Sequence, residues 1–230
     1  MTYQDRYSKK SKLYAGLVRE LNEKYPEITL SSEYGYFVED NLLQFLIRLA
    51  RFKFAAKMVK KNDRVLEIGC GSGLGTNFLA QHCRRIKGID VKSEELEEAR
   101  SLTRRKNVDF ELIDFFDMPS KSRYDAVVAL DVIEHMPKAD GRRLIKKTTA
   151  HLKKDGILII GTPSMYTRKY QSPLSKASHI KLYDQEELRA LIEAHYGRTL
   201  AFSMNDEVVH TGFSKLAWYY FVIAFMPKKS

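Results

Sequence analysis

The sequence is poor in the residues that staple or punctuate small folds, with 2 Cys, 6 Pro and 1 Trp in 230 residues. Two cysteines allow at most one disulfide, which excludes a disulfide-built secreted scaffold and predicts a reducing, cytoplasmic setting. Long apolar runs are missing too. The longest, Leu216 to Met226, covers eleven residues, well short of the ~20 that a membrane-spanning helix needs, and reads as a buried strand. Residues 1–13 place basic side chains ahead of no apolar stretch, so a secretory signal is not expected. Neither a 20–50-residue repeat nor a low-complexity tract occurs, which disfavours solenoids and long disordered tails. What is present is 44% hydrophobic and 30% charged residues, the composition of a globular chain that buries roughly 70% of its unfolded surface. The 39 Lys and Arg against 29 Asp and Glu leave a net charge of +10. Nucleic acid, anionic lipid and phosphorylated substrates are the partner classes that such an excess suggests.

From Val65 onward, short runs rich in Val and Ile alternate with helical periodicity, the pattern of a parallel sheet with crossover helices. Strands are expected at Arg64–Ile68, Ile86–Asp90, Val108–Ile113, Ala126–Leu130 and Ile157–Gly161, and later at Thr199–Met204 and Trp218–Phe225. Helices are expected near Gly75–Cys83, Ser93–Arg105, Lys138–Leu152 and Asp184–Tyr196, with Ser93 as an N-cap before Glu94 and Glu95. The predicted fold class is α/β, a doubly wound, Rossmann-like sheet of about seven mostly parallel strands. Residues 1–62 differ, with helical periodicity at Lys12–Lys24 and Asp40–Lys60 and no strand between. The expected division is a helical extension or lid over 1–62 and a catalytic domain over 63–230. In the second helix Phe45, Leu49, Phe52, Ala56 and Val59 form an apolar stripe, with Arg48, Lys53, Lys57 and Lys60 off it. Half of the basic excess lies in this extension. It predicts either a solvated helix face or a basic surface for an anionic substrate or peripheral membrane contact.

The sharpest local pattern is Val65-Leu66-Glu67-Ile68-Gly69-Cys70-Gly71-Ser72-Gly73, a strand running into a glycine turn and then a helix. Glycines serve where the backbone takes positive φ or passes close to a ligand. The loop lacks G-x-G-x-x-G/A spacing, and Glu67 beside it would repel a pyrophosphate but attract an amino group or a sulfonium, which points away from a nicotinamide dinucleotide. Asp90 closes the second strand, where a carboxylate can accept both hydroxyls of a ribose. Asp114 and Phe115 end the third, an acceptor beside an aromatic ring that suits an adenine. The plainer roles are a cap for Asp90 and a turn residue for Asp114. Cys70 reads as a small packing residue and Cys83 as core.

With VLEIGCGSG, GID, IDFFDMP, YDAVVALDVIEH and GILIIGTPS in order, residues 64–225 resemble the class I S-adenosylmethionine-dependent methyltransferases. The resemblance implies that Gly69, Gly71 and Gly73 line the methionine moiety, Asp90 the ribose, and Asp114 with Phe115 the adenine, while Leu130 and Asp131 flank the methyl group. It also implies an antiparallel seventh strand inserted between the fifth and sixth, which Trp218–Phe225 fits.

Asp131-Val132-Ile133-Glu134-His135 carries polar groups at i, i+3 and i+4; as a helical turn it would place Asp131, Glu134 and His135 on one face, able to bind a divalent cation or position a substrate. This D-V-I-E-H run resembles the ubiquinone-biosynthesis O-methyltransferases and the small-RNA 3′-terminal ribose methyltransferases, whose corresponding acid, Glu and His are associated with a metal (Mg or Zn), joined by a later His. Here His179 matches that position, and Asp131 stands where Glu is usual. The alternative role for His135 is to orient the acceptor or cap a helix. A second polar cluster, Ser203 to Gly212 with Glu207 and His210, is a further acceptor wall or an Asn/Asp-rich hairpin. FSMNDEVVHTG and RFKFAAKMVKK also resemble methyltransferases encoded among bacterial surface-polysaccharide genes. The expected activity is methyl transfer from S-adenosylmethionine to a hydroxyl of a small-molecule or glycan-like acceptor, with Asp131, Glu134, His135, His179 and His210 as its catalytic set. RNA ribose methylation and cofactor binding without catalysis are the alternatives, nucleic acid being the less favoured partner.

Overall fold

The chain is described by a computed structural model over residues 3–24 and 32–228. It divides into two compact units, residues 1–30 and 31–230, so the division lies 32 residues ahead of the one expected after residue 62. In the first unit, α1 (Tyr3–Lys24) starts ahead of the predicted Lys12 and carries Leu13, Tyr14, Leu17 and Leu21 exposed.

The second unit is built on a sheet whose described strands number eight, against about seven predicted: β1 (Arg64–Ile68), β2 (Arg85–Asp90), β3 (Val108–Leu112), β4 (Tyr124–Leu130), β5 (Leu152–Pro163), β6 (Tyr196–Asn205), β7 (Val208–His210) and β8 (Tyr219–Pro227). Their order is β3-β2-β1-β4-β5-β8-β6-β7. The first five are parallel, and β8 enters antiparallel between β5 and β6, as the resemblance implied. The eighth strand, β7, pairs antiparallel with β6, Ser203 opposite His210. Strands β1, β4 and the second half of β5 are buried on both faces because helices cover both, which is why they are rich in Val, Ile and Leu, with Glu67 the buried charged exception in β1.

On one face lie α6 (Lys138–His151) and α8 (Gln185–Glu193), closing Leu144, Ile145, Leu188 and Ile192 over Leu66, Ile68, Val127 and Ile160. Opposite them, α3 (Leu42–Met58) and α4 (Leu74–Leu79) cover Val65, Val128 and Ile159. Ala50, Ala55 and Ala56 let α3 approach the sheet, and Phe54 packs 4.4 Å from Phe221 and 5.2 Å from Phe202. The buried face of α3 is therefore wider than the predicted stripe, adding Ile47, Ala50, Phe54 and Ala55 to Phe52, Ala56 and Val59. This helix belongs to the sheet's own core rather than to a separate lid. Three more helices, α2 (Ser32–Asp40), α5 (Ser93–Leu102) and α7 (Pro173–Ser178), complete the unit. Ser93 is the first helical residue of α5 and the preceding position, Lys92, makes no side-chain cap bond, so the expected cap is absent there. Asp184 does cap α8, accepting the Glu187 N–H at 2.7 Å.

The chain turns from β1 outward to β2 and β3, then back to β4 and β5. The crevice at the C-terminal ends of β1 and β4 is the topological switch point, where ligands of such sheets bind. Among the described residues no helix is long and apolar enough to cross a membrane.

Candidate active site

The three loop glycines all take positive φ, at 69°, 50° and 81° for Gly69, Gly71 and Gly73. At Gly73 a Cβ would stand 2.7 Å from Ala99 Cβ, so strand, loop and α5 meet there only without a side chain. Asp90, at the end of β2, accepts the Gly71 N–H at 2.9 Å and the Val91 and Lys92 N–H groups at 2.8 and 3.1 Å. Its carboxylate thus ties the loop to the neighbouring strand. Asp114 accepts from Phe116 N at 2.8 Å, the turn role, and Phe115 is buried in the core with its ring 5.1 Å from His151. The Phe115 ring is committed to packing and does not stand open at the strand end. Glu67 is enclosed under the loop and receives the Thr76 hydroxyl. Burial pushes its pKa up to about 8; Asp90 adds to the rise and Thr76 opposes it.

At the end of β4 Leu130 is buried and Asp131 adopts φ 56°, a left-handed conformation that costs a non-glycine residue energy and is concentrated at functional sites. A turn of 3-10 helix, Ile133–His135, follows. Asp131 therefore lies outside the helical turn that was to unite it with Glu134 and His135. Its carboxylate faces α3, where Arg51 Nη1 lies 3.0 Å from each oxygen. The Arg51 guanidinium rests on the Tyr219 ring, 4.2 Å from its centre.

Glu134 is buried, accepts the Thr162 hydroxyl at 2.9 Å through Oε2, and leaves Oε1 without a partner. Burial, then the charge of Asp131, raises its pKa well above the carboxylate range. The Glu134 carbonyl accepts the Ile180 and Lys181 N–H groups at 2.8 and 3.0 Å, which draws the end of α7 across the strand end. His179 arrives that way, its ring 5.1 Å from that of His135. His135 Nδ1 sits 3.0 Å from the Ser178 carbonyl and His179 Nδ1 3.1 Å from Gln171 Oε1. Both Nδ1 atoms are donors in these bonds, so both Nε2 lone pairs are left open. Burial and the neighbouring His135 hold His179 below the ordinary imidazole value, in its neutral form. One ligand atom from each of Glu134, His135 and His179 falls within 4.8 Å of the others, and Asp131 is outside that group.

His210 is elsewhere. It lies on the outermost strand β7, four strands from β4, and both ring nitrogens serve the hairpin, with Asn205 Oδ1 at 3.1 Å and the Gly212 N–H at 3.3 Å. The Ser203 to Gly212 cluster is the Asn/Asp hairpin, its turn at Asp206 and Glu207.

Sequence reasoning missed Arg51, Tyr219 and Thr162. Arg51 was readable in principle, because it shares the 47, 51, 54, 58 spacing of the buried face of α3. A basic residue on an apolar face signals a buried partner.

Residues 65–156 match the family described as "Methyltransferase domain". This part of the chain is a class I methyltransferase domain. The ubiquinone biosynthesis O-methyltransferase of Coxiella burnetii is 26% identical over 139 residues, 59% of this chain and 58% of that protein. The enzyme of the same name from Pelagibacter ubique is 26% identical over 122 residues, 52% and 50% of the two chains. The chain thus spans about half the length of the curated relatives it matches. Among solved structures, the N-methyltransferase NodS of Bradyrhizobium japonicum with S-adenosylhomocysteine gives a TM-score of 0.59 at 18% identity, covering 84% of this chain and 92% of that one. A possible histamine N-methyltransferase from Thermotoga maritima gives 0.64 at 20%, covering 84% and 94%. These likenesses establish the methyltransferase fold around the glycine loop and the β4 strand end.

Proposed function

We propose that this domain transfers a methyl group from S-adenosylmethionine to a hydroxyl oxygen of a small polar or glycan-like acceptor. The observation that carries the reading is the acid and imidazole cluster at the end of β4, beside the glycine loop of β1. Bound S-adenosylmethionine supplies a methyl carbon already activated by its sulfonium, so the chain's own task is alignment and management of the acceptor proton. The positive-φ loop leaves room for the methionine portion, and Glu67 offers a carboxyl toward its ammonium group. Asp90 is the ribose acceptor, and it must trade at least one of its backbone partners to serve as one. Asp131 is the group at the strand end that accepts the acceptor's hydroxyl proton.

Glu134, His135 and His179 fit a divalent cation. Glu134 Oε1 is buried and unpaired, and two imidazoles are fixed through Nδ1 with Nε2 free, the arrangement by which other protein groups orient metal-binding histidines. Two nitrogens and one oxygen suit zinc or a similar transition ion better than magnesium, which prefers oxygen alone. Such an ion would polarise the acceptor oxygen and lower its pKa.

Incubation with methyl-labelled S-adenosylmethionine and a panel of phenols, sugars and a short RNA, with and without chelator, tests the reading. Label on a small hydroxyl, reduced by chelation and by His135→Ala, is the expected result. Label on RNA ribose alone replaces the acceptor class, and label on nitrogen only overturns oxygen as the target. Transfer untouched by chelator removes the cation from the reading.

A further inference from the structure

Arg51 is a half-buried cation with donors to spare, brought to the end of β4 by α3. Only Nη1 engages Asp131, shared between the two carboxylate oxygens at 3.0 Å. Its Nε, on the guanidinium edge that takes a carboxylate in two parallel bonds, is enclosed and unpaired. Buried polar atoms without partners are uncommon, yet one more, Glu134 Oε1, stands beside the same ion pair. The pair can be reached, because the Arg51 and Asp131 side chains keep 19% and 29% of their exposure. The Tyr219 ring underneath fixes the guanidinium plane. The segments that follow β5 and precede β8, residues 164–182 and 211–218, contain Arg168, Lys169, Lys176, Lys181 and Lys215 and no Asp or Glu. Of these, Lys181 is paired with Glu187 at 2.7 Å, which leaves Arg168, Lys169, Lys176 and Lys215 as the positive groups of these segments.

We infer that Arg51 is the specificity residue for an acceptor carrying a carboxylate, which takes the guanidinium in a two-bond fork and releases Asp131 to the acceptor hydroxyl. A monoanion matches the single positive charge, and a planar carboxylate matches the planar edge. The inference rests on the proposed methyl transfer, since it assigns the acceptor to that site.

The test is calorimetric titration of the S-adenosylhomocysteine complex of the full chain with benzoate and with its neutral counterpart, benzyl alcohol. Wild type should take benzoate at least tenfold more tightly. Arg51→Met should remove that preference, and Asp131→Asn, which frees Arg51, should tighten benzoate several-fold. A merely structural ion pair would weaken binding in both variants. Equal affinity for the two probes in wild type, a preference that survives Arg51→Met, or weaker or unchanged benzoate binding in Asp131→Asn overturns the inference. S-adenosylhomocysteine affinity, measured on each protein first, separates the failures. Its absence in wild type overturns the functional reading and this inference with it, whereas its presence without a benzoate preference overturns the inference alone.

Discussion

The cofactor end and the acceptor end of the crevice are constructed differently. Around the glycine loop, polar groups are satisfied within the protein and by near neighbours: Asp90 by Gly71, Val91 and Lys92, Asp114 by Phe116, and Glu67 by Thr76. At the end of β4 the groups come from α3, β4, β5, α7 and β8, and Arg51 Nε and Glu134 Oε1 stay unpaired. A satisfied network holds one shape. The unpaired one is poised to exchange partners with whatever enters. In the proposed function the first is a socket for a constant ligand, and the second is where the choice of acceptor is made.

The largest expected effect is at Glu67, whose folded pKa of about 8 stands above its ordinary 4.5. The folded state keeps a proton that the unfolded chain releases. Its contribution to stability is thus whole below about pH 4.5, declines as pH rises to about 8, and is level beyond. Glu67→Gln should flatten that decline by about 4 kcal/mol, read as the difference between the two proteins' melting profiles at pH 5 and pH 8.5. Identical profiles would remove Glu67 from the socket's electrostatics. Next is the rigidity of the socket. Gly73→Ala forces a side chain into positive φ and against Ala99, and should cost about 3 kcal/mol of unfolding free energy in denaturant melts, with loss of S-adenosylhomocysteine binding. A variant as stable as wild type would show that the loop yields.

At the acceptor end, Thr162→Val strips Glu134 of its hydroxyl partner and should destabilise by about 1 kcal/mol, while S-adenosylhomocysteine affinity is kept. A fall in that affinity would mean that the two ends are not separable. The smallest effect is expected at His210. Its hairpin lies at the sheet edge, so His210→Ala should change stability by less than about 0.5 kcal/mol and leave transfer rates unaltered. A large loss of activity would return this hairpin to the site.

The same contrast explains what could be read from the sequence. The proposed socket is contiguous, one strand, one turn and the ends of the next two strands, so the places of Glu67, the three glycines, Asp90 and Asp114 in the fold could be read from the sequence. The alternation of apolar runs likewise marked β1 to β6 and β8, because strands buried on both faces leave an unmistakable pattern. Phe115 was located but its orientation was not, since strand-end spacing does not say which way a ring turns. The acceptor end defeats such reasoning. Arg51 and Asp131 are 80 residues apart and meet only once α3 is laid on the sheet. A backbone twist at Asp131 moved it off the face it was expected to share with Glu134 and His135. His179 was named from a resemblance, and what places it is a pair of backbone hydrogen bonds to Glu134 that no side-chain pattern encodes.

Calorimetry of S-adenosylhomocysteine with the wild-type chain and with Asp90→Ala decides whether the glycine loop and Asp90 hold S-adenosylmethionine. Saturable binding of one ligand per chain by wild type and at least a tenfold loss in the variant are expected. Absence of binding by wild type, or equal affinity in the two proteins, would contradict the proposed socket.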